Sequence, residues 1–151
     1  MSDKSPVVVQ QDEAHVLRAF GQEVVILLDG EQTGGRLTMF INVNPPGEGP
    51  PPHYDSIEDK TYYVLEGRAA FLVNEQWREV GPGGSVFMPH GCVHTFRNIG
   101  TQPLRSLVMA APSGFEKFFA RCHEEFAKPG GPDMSRVLRI SEEHGLHFVQ
   151  Q

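Results

Sequence analysis

The sequence predicts an all-β domain, an antiparallel barrel or jelly roll, followed by a short C-terminal helical extension. Three observations carry that expectation. Short segments rich in β-branched and aromatic residues follow one another closely, glycine and proline punctuate them, and the hydrophobic period changes after Ala111. The 16 glycines and 12 prolines supply the many turns such a chain needs. A length of 151 residues suits one domain with its own core. There is no internal repeat, so the whole chain, 1–151, reads as one unit, with the barrel over about 7–111 and the helical tail over about 113–146.

The β pattern starts near Val7. "VVILL" (Val24 to Leu28) runs into the turn "DGEQTGG", and "RLTMFINVN" (Arg36 to Asn44) alternates in polarity. Three prolines, Pro50 to Pro52, lead to His53, and "TYYVLEGRAAFLVN" and "QWREV" flank a short turn at Asn74 and Glu75. Beyond the breaker "GPGG" (Gly81 to Gly84) come "SVFMP", "HTFRN" and "LRSLVMA". Phe115, Phe118, Phe119, Cys122 and Phe126 then share one helical face, which predicts a helix packed on the barrel. Ser113 and Glu116 have the spacing of a capping box at its start. "PGGP" (Pro129 to Pro132) ends that helix, and a second is expected over about 133–144, stopped by Gly145.

Composition narrows the function. A formal net charge of -6 and the lack of any Lys/Arg cluster argue against nucleic acid as a partner. No apolar run is long enough to cross a bilayer, and "MSDKSPVVVQ" lacks the apolar segment of a secretory signal. Two cysteines, Cys92 and Cys122, make no disulfide framework and no zinc motif, so free thiols and a cytoplasmic location are expected.

Chemistry concentrates on a few residues. His15, His123, His144 and His147 have no partner at metal-ligand spacing, and His90 reads as a rim residue. His53 and Asp55 are two apart, so on extended backbone both side chains leave the same face. His94 lies on a later strand, and a site using all three requires the two strands to face each other across the barrel. The same parity puts Lys60, Tyr62 and Val64 on one face, with Phe96 beside His94, as the wall of a cavity fit for a small ring compound. Tyr62 carries a hydroxyl that needs a partner when buried, which favours it as a ligand contact. Glu58 and Asp59 lie in "SIEDK", which reads as a solvated turn; were Glu58 inward, it could neutralise Lys60 or ligate in its place.

Two segments resemble the signature motifs of the cupin superfamily. The second motif asks for a glycine, five residues, Pro-x-Gly, two residues, a histidine, three residues and an asparagine. Gly83, Pro89, Gly91, His94 and Asn98 satisfy it. The first asks for glycine, His-x-His, glutamate and glycine; Gly47, His53 and Gly67 match, while Asp55 stands for the second histidine and Lys60 for the glutamate. "APSGFEKFF" and "EEHGLHFV" are similar to the tail of the single-domain, quercetin-dioxygenase-like bacterial cupins, so the resemblance spans about Gly35 to Val149. It implies a cupin-type β-barrel, often a homodimer, and metal-dependent oxygen chemistry on an aromatic or enol substrate. Other cupins are isomerases, decarboxylases, sensors or storage proteins, so the fold alone settles no reaction.

In that family three histidines and a glutamate hold the ion. His53 and His94 carry over, Asp55 can ligate through an oxygen, and a protonated Lys60 cannot ligate. Two histidines and a carboxylate make the facial triad of non-haem Fe(II) oxygenases. Two functions follow. Either His53, Asp55 and His94 bind Fe, Mn, Ni or Zn in a dioxygenase whose Lys60, Tyr62 and Phe96 contact the substrate, or an Asp55–Lys60 ion pair replaces the metal in a binding module or sensor for a small anion.

Overall fold

The structure, a computed structural model, describes residues 5–149. Residues 5–10 carry no regular structure and Gln11–Glu13 form a single 3-10 turn, so the first strand begins eight residues later than the apolar "VVV" at Val7 suggests. β1 (His15–Ala19) and β2 (Gln22–Leu28) form a hairpin through Phe20 and Gly21, both at positive φ. A one-turn helix, α1 (Gly30–Thr33), fills the "DGEQTGG" turn, capped by the Asp29 carboxylate. Then follow β3 (Thr38–Asn44), β4 (His53–Asp55), β5 (Asp59–Glu66), β6 (Ala69–Val73), β7 (Gln76–Val80), β8 (Ser85–Met88), β9 (Thr95–Asn98) and β10 (Leu104–Ala111). The chain closes with α2 (Phe115–Phe126), α3 (Met134–Glu143) and β11 (Leu146–Phe148).

Six strands pair antiparallel in the order β1-β2-β3-β10-β5-β8. Opposite them lie β7-β6-β9 and β11-β4, joined by an antiparallel bridge between His53 and His94. Alternation decides what faces in. On β5 Lys60, Tyr62 and Val64 are buried while Tyr63 and Leu65 face out, and on β10 Leu104, Ser106, Val108 and Ala110 face in. The interior between the layers is aromatic, with Tyr62, Phe71 and Phe96 in mutual ring contact at 5.2–5.8 Å.

The phenylalanine stripe packs inward as its period requires. Phe115, Phe118, Phe119 and Cys122 are buried, and Phe115 stacks on Phe40 of β3 at 5.2 Å. Its N-terminus is built differently from the expected Ser113–Glu116 box. The N-cap is Gly114, whose φ of 131° belongs to glycine, and Ser113 caps nothing. Glu116 instead accepts from the N–H groups of Gly30 (2.8 Å) and Gly114 (2.9 Å) and from the Thr38 hydroxyl (2.5 Å), tying α2 to the α1 corner and to β3. Burial alone would raise the Glu116 pKa; these hydrogen bonds outweigh it and hold the carboxyl below its usual value. At the other end, buried Glu125 accepts from Lys128 and from Arg136 of α3. α3 starts on Asp133 and stops at Gly145, as the sequence predicts.

The tail is not only helical. β11 returns to the barrel and pairs with β4, Phe148 opposite His53 and Leu146 opposite Asp55. The end of the chain thus helps to fix the strand that carries two candidate ligands.

Candidate functional site

His53 and His94 do not face each other across the barrel. They are cross-strand neighbours in one layer: the N–H of each donates to the carbonyl of the other, at 3.0 and 2.8 Å. In such a pair both side chains leave the sheet on the same face, and the rings lie 4.4 Å apart. Asp55 projects from β4 on that same face. One ligand atom from each of His53, Asp55 and His94 lies within 4.8 Å of the others, and all three residues are buried.

Backbone carbonyls set both imidazole tautomers. His53 Nδ1 donates to the Pro51 carbonyl (2.8 Å) and His94 Nδ1 to the Cys92 carbonyl (3.0 Å). Each ring therefore presents Nε2 as a lone pair, the arrangement in which a histidine ligates with its second nitrogen held from behind. Burial first, then the Lys60 charge and the neighbouring His94, push the His53 pKa down to about 4. Burial lowers His94 as well, against the opposing hydrogen bond to Cys92. His53 Nε2 stands 4.0 Å from Asp55 Oδ2, whereas His94 Nε2 is buried with no hydrogen-bond partner among the described residues.

Lys60 Nζ donates to Asp55 Oδ1 at 3.2 Å and sits 3.9 Å from the centre of the Phe115 ring. The ion pair is fully buried, so each partner needs the other: removal of one would strand a charge inside the barrel. The pair engages Oδ1 and leaves Oδ2 turned toward His53. Glu58 differs from its sequence reading. It is 5% exposed rather than solvated, and burial first of all raises its pKa. Asp59 beside it does face out, holding exposed His90 at the rim.

A cavity with a water-accessible volume of ≈ 60 Å³ opens beside this cluster. His53, Lys60, Tyr62 and Phe96 line it, while Asp55 and His94 pack against His53 rather than on the wall. The Tyr62 phenol is buried and has no hydrogen-bond partner among the described residues; burial raises its pKa, keeping it a neutral donor. Sequence reasoning missed the opposite wall. Phe115 and Phe118 of α2 and Phe148 of β11 cover the cavity, and Gln22 and Asn42 give it a second polar end. Period marked the two α2 residues as buried, but nothing local in the sequence shows what a returning strand will cover.

The donor set suits a divalent ion: one free carboxylate oxygen and two neutral imidazole nitrogens, of which His94 Nε2 is buried with no partner among the described residues. Lys60 is the one discordant charge, and its pairing with Asp55 Oδ1 partly offsets it.

Comparison with known proteins gives the same framework. Residues 40–110 match the cupin domain family. The chain is 25% identical over 135 residues to a quercetin 2,3-dioxygenase of Bacillus subtilis, covering 89% of this chain and 40% of that protein. An uncharacterized Streptomyces coelicolor protein is 38% identical over 55 residues, or 51% of its length. The chain thus spans about half or less of these relatives. Among solved structures, the polyketide cyclase RemF from Streptomyces resistomycificus aligns with a TM-score of 0.62 at 25% identity, over 72% of this chain and 81% of that one. A predicted oxalate decarboxylase from Thermotoga maritima aligns with the same TM-score and identity over 70% of this chain and 99% of that one. Residues 40–110 are thus similar to the cupin domain, and the chain is built in a cupin-type jelly-roll fold.

Proposed function

We propose that His53, Asp55 and His94 hold a divalent metal ion (Fe, Mn, Ni or Zn) and that the protein is a dioxygenase for a small anionic aromatic or enol compound. The observation that carries the reading is His94 Nε2. A buried acceptor without a partner costs about 1–3 kcal/mol, and here it faces the same point as two further ligand atoms. A bound ion would supply a Lewis-acid centre with open positions for substrate and O₂. Around it, Lys60 offers positive charge to an anionic substrate and holds the Asp55 carboxylate in place through Oδ1. Tyr62 offers a neutral hydroxyl, Phe96 a ring face, and the apolar wall excludes water. The similarity to a quercetin 2,3-dioxygenase supports oxygen chemistry.

One observation favours a second reading. The Asp55–Lys60 pair at 3.2 Å can stand in for a metal, which would leave a binding module for a small anion. Oxygen uptake separates the two. Fe(II)-reconstituted protein mixed with small hydroxy-aromatic and enolic acids should consume O₂ at an electrode, and Asp55→Ala should lower the rate by about 100-fold or more. Saturable binding of such acids to the Fe(II)-treated wild type with no oxygen uptake would replace the enzyme with the binding module.

A further inference from the structure

Two side-chain amides, Gln22 and Asn42, lie on the cavity wall, and a third, Asn44, backs them. Gln22 Oε1 accepts from both Asn42 Nδ2 and Asn44 Nδ2, each at 2.9 Å. Asn42 and Asn44 are 5% and 2% exposed, and Gln22 and Asn42 reach the cavity wall. That arrangement leaves groups over. Gln22 Nε2 has its hydrogens unused, Asn42 Oδ1 accepts nothing, and Asn44 Oδ1 is buried with no partner among the described residues. Reversing all three amides exchanges donors for acceptors and leaves both kinds facing the cavity. Asn44 Oδ1 is the fully buried one of these atoms, whereas Gln22 and Asn42 lie on the cavity wall, where a ligand group that both donates and accepts would meet their unused groups.

The sheet register gives the distance to the charged end. Lys60 pairs with Ala110, and Ala110 with Thr38, so Lys60 and Thr38 share one row. Asn42 is four residues further along β3, about 13 Å in the strand direction. Phe40, Phe96 and Phe115 line the same cavity, Phe115 against Lys60 itself. One six-membered ring with polar groups on opposite edges, and a hydrogen bond of about 3 Å at each end, spans a gap of this order.

We infer that Gln22 and Asn42 form a specificity subsite for a hydroxyl (or a similar donor–acceptor group) opposite the anionic group held near Lys60. The substrate class is then a single-ring hydroxy acid rather than any small aromatic anion. The inference rests on the ligand orientation proposed above, with the acid end toward Lys60.

Calorimetric titration with 4-hydroxybenzoate and benzoate tests it. The intact protein should bind the hydroxylated probe about tenfold more tightly, and only that probe should shift the Gln22 and Asn42 side-chain NH₂ signals in ¹⁵N-correlated NMR spectra. Asn42→Leu and, separately, half-buried Gln22→Leu should bring the ratio of the two affinities to about one. Equal affinity for both probes, a preference that survives both substitutions, or no saturable binding of either probe would overturn the subsite. Benzoate affinity unmoved by Lys60→Met would instead remove the charged end of the proposed function, while the hydroxyl preference would still decide the amide end.

Discussion

At the level of single residues, the site depends on two imidazoles kept neutral inside the barrel. His53 shows how much this matters for stability. Its folded pKa lies near 4 against an ordinary value of 6.5. Protonation therefore favours the unfolded chain: the contribution is fully present above pH 6.5, declines as pH falls, and is gone below about pH 4. A shift of this size corresponds to on the order of 3 kcal/mol. Urea titrations of metal-stripped protein between pH 7 and 4 should show the stability gap between wild type and His53→Gln changing by roughly that amount; a gap that stays flat would mean the imidazole is not buried in its neutral form. The ligand candidates His53, Asp55 and His94, with Lys60 beside them, could be named from the sequence because motif spacing is local. The burial of Glu58 could not be read there, since a turn-like composition around it says nothing of the barrel that closes over it.

At the level of elements, close approach of strands builds the site, and one residue permits it. The segment before β4 runs along β9, with Gly47 N–H donating to the Asn98 carbonyl and Asn98 N–H to that of Glu48, both at 2.9 Å. A Cβ on Gly49 would lie 1.8 Å from the Phe96 carbonyl oxygen, against backbone that has no room to give. Gly49→Ala should therefore cost about 3 kcal/mol or more in denaturant unfolding and weaken the His53–His94 bridge that follows. A change below about 0.5 kcal/mol, ordinary for a surface substitution, would show that the two segments pass at a greater distance. Strands β2, β3 and β5 to β10 and both long helices were readable from period and breakers, while the apolar run at Val7 draws the first strand too early. β11 was not, because its partner β4 lies some ninety residues earlier and its own three residues carry too short a pattern. The Ser113–Glu116 spacing misled for a related reason: Glu116 is engaged by Gly30 and Thr38, contacts made only when the helix docks.

At the level of the whole molecule, an acidic chain whose described residues include no helix long and apolar enough to cross a membrane encloses a small apolar cavity with polar groups at both ends. The fold was legible because the second cupin motif is complete in the sequence. Function was less so, because the first motif departs at Asp55 and Lys60, and only the structure shows these two paired while two imidazole nitrogens remain available. The proposed activity needs those nitrogens to meet at a metal. Elemental analysis of protein reconstituted with Fe(II) and then desalted tests this most directly. About one ion per chain is predicted for wild type, as the three-ligand site requires, and near none for His94→Ala. A metal content that is negligible in wild type, or undiminished in His94→Ala, would contradict it.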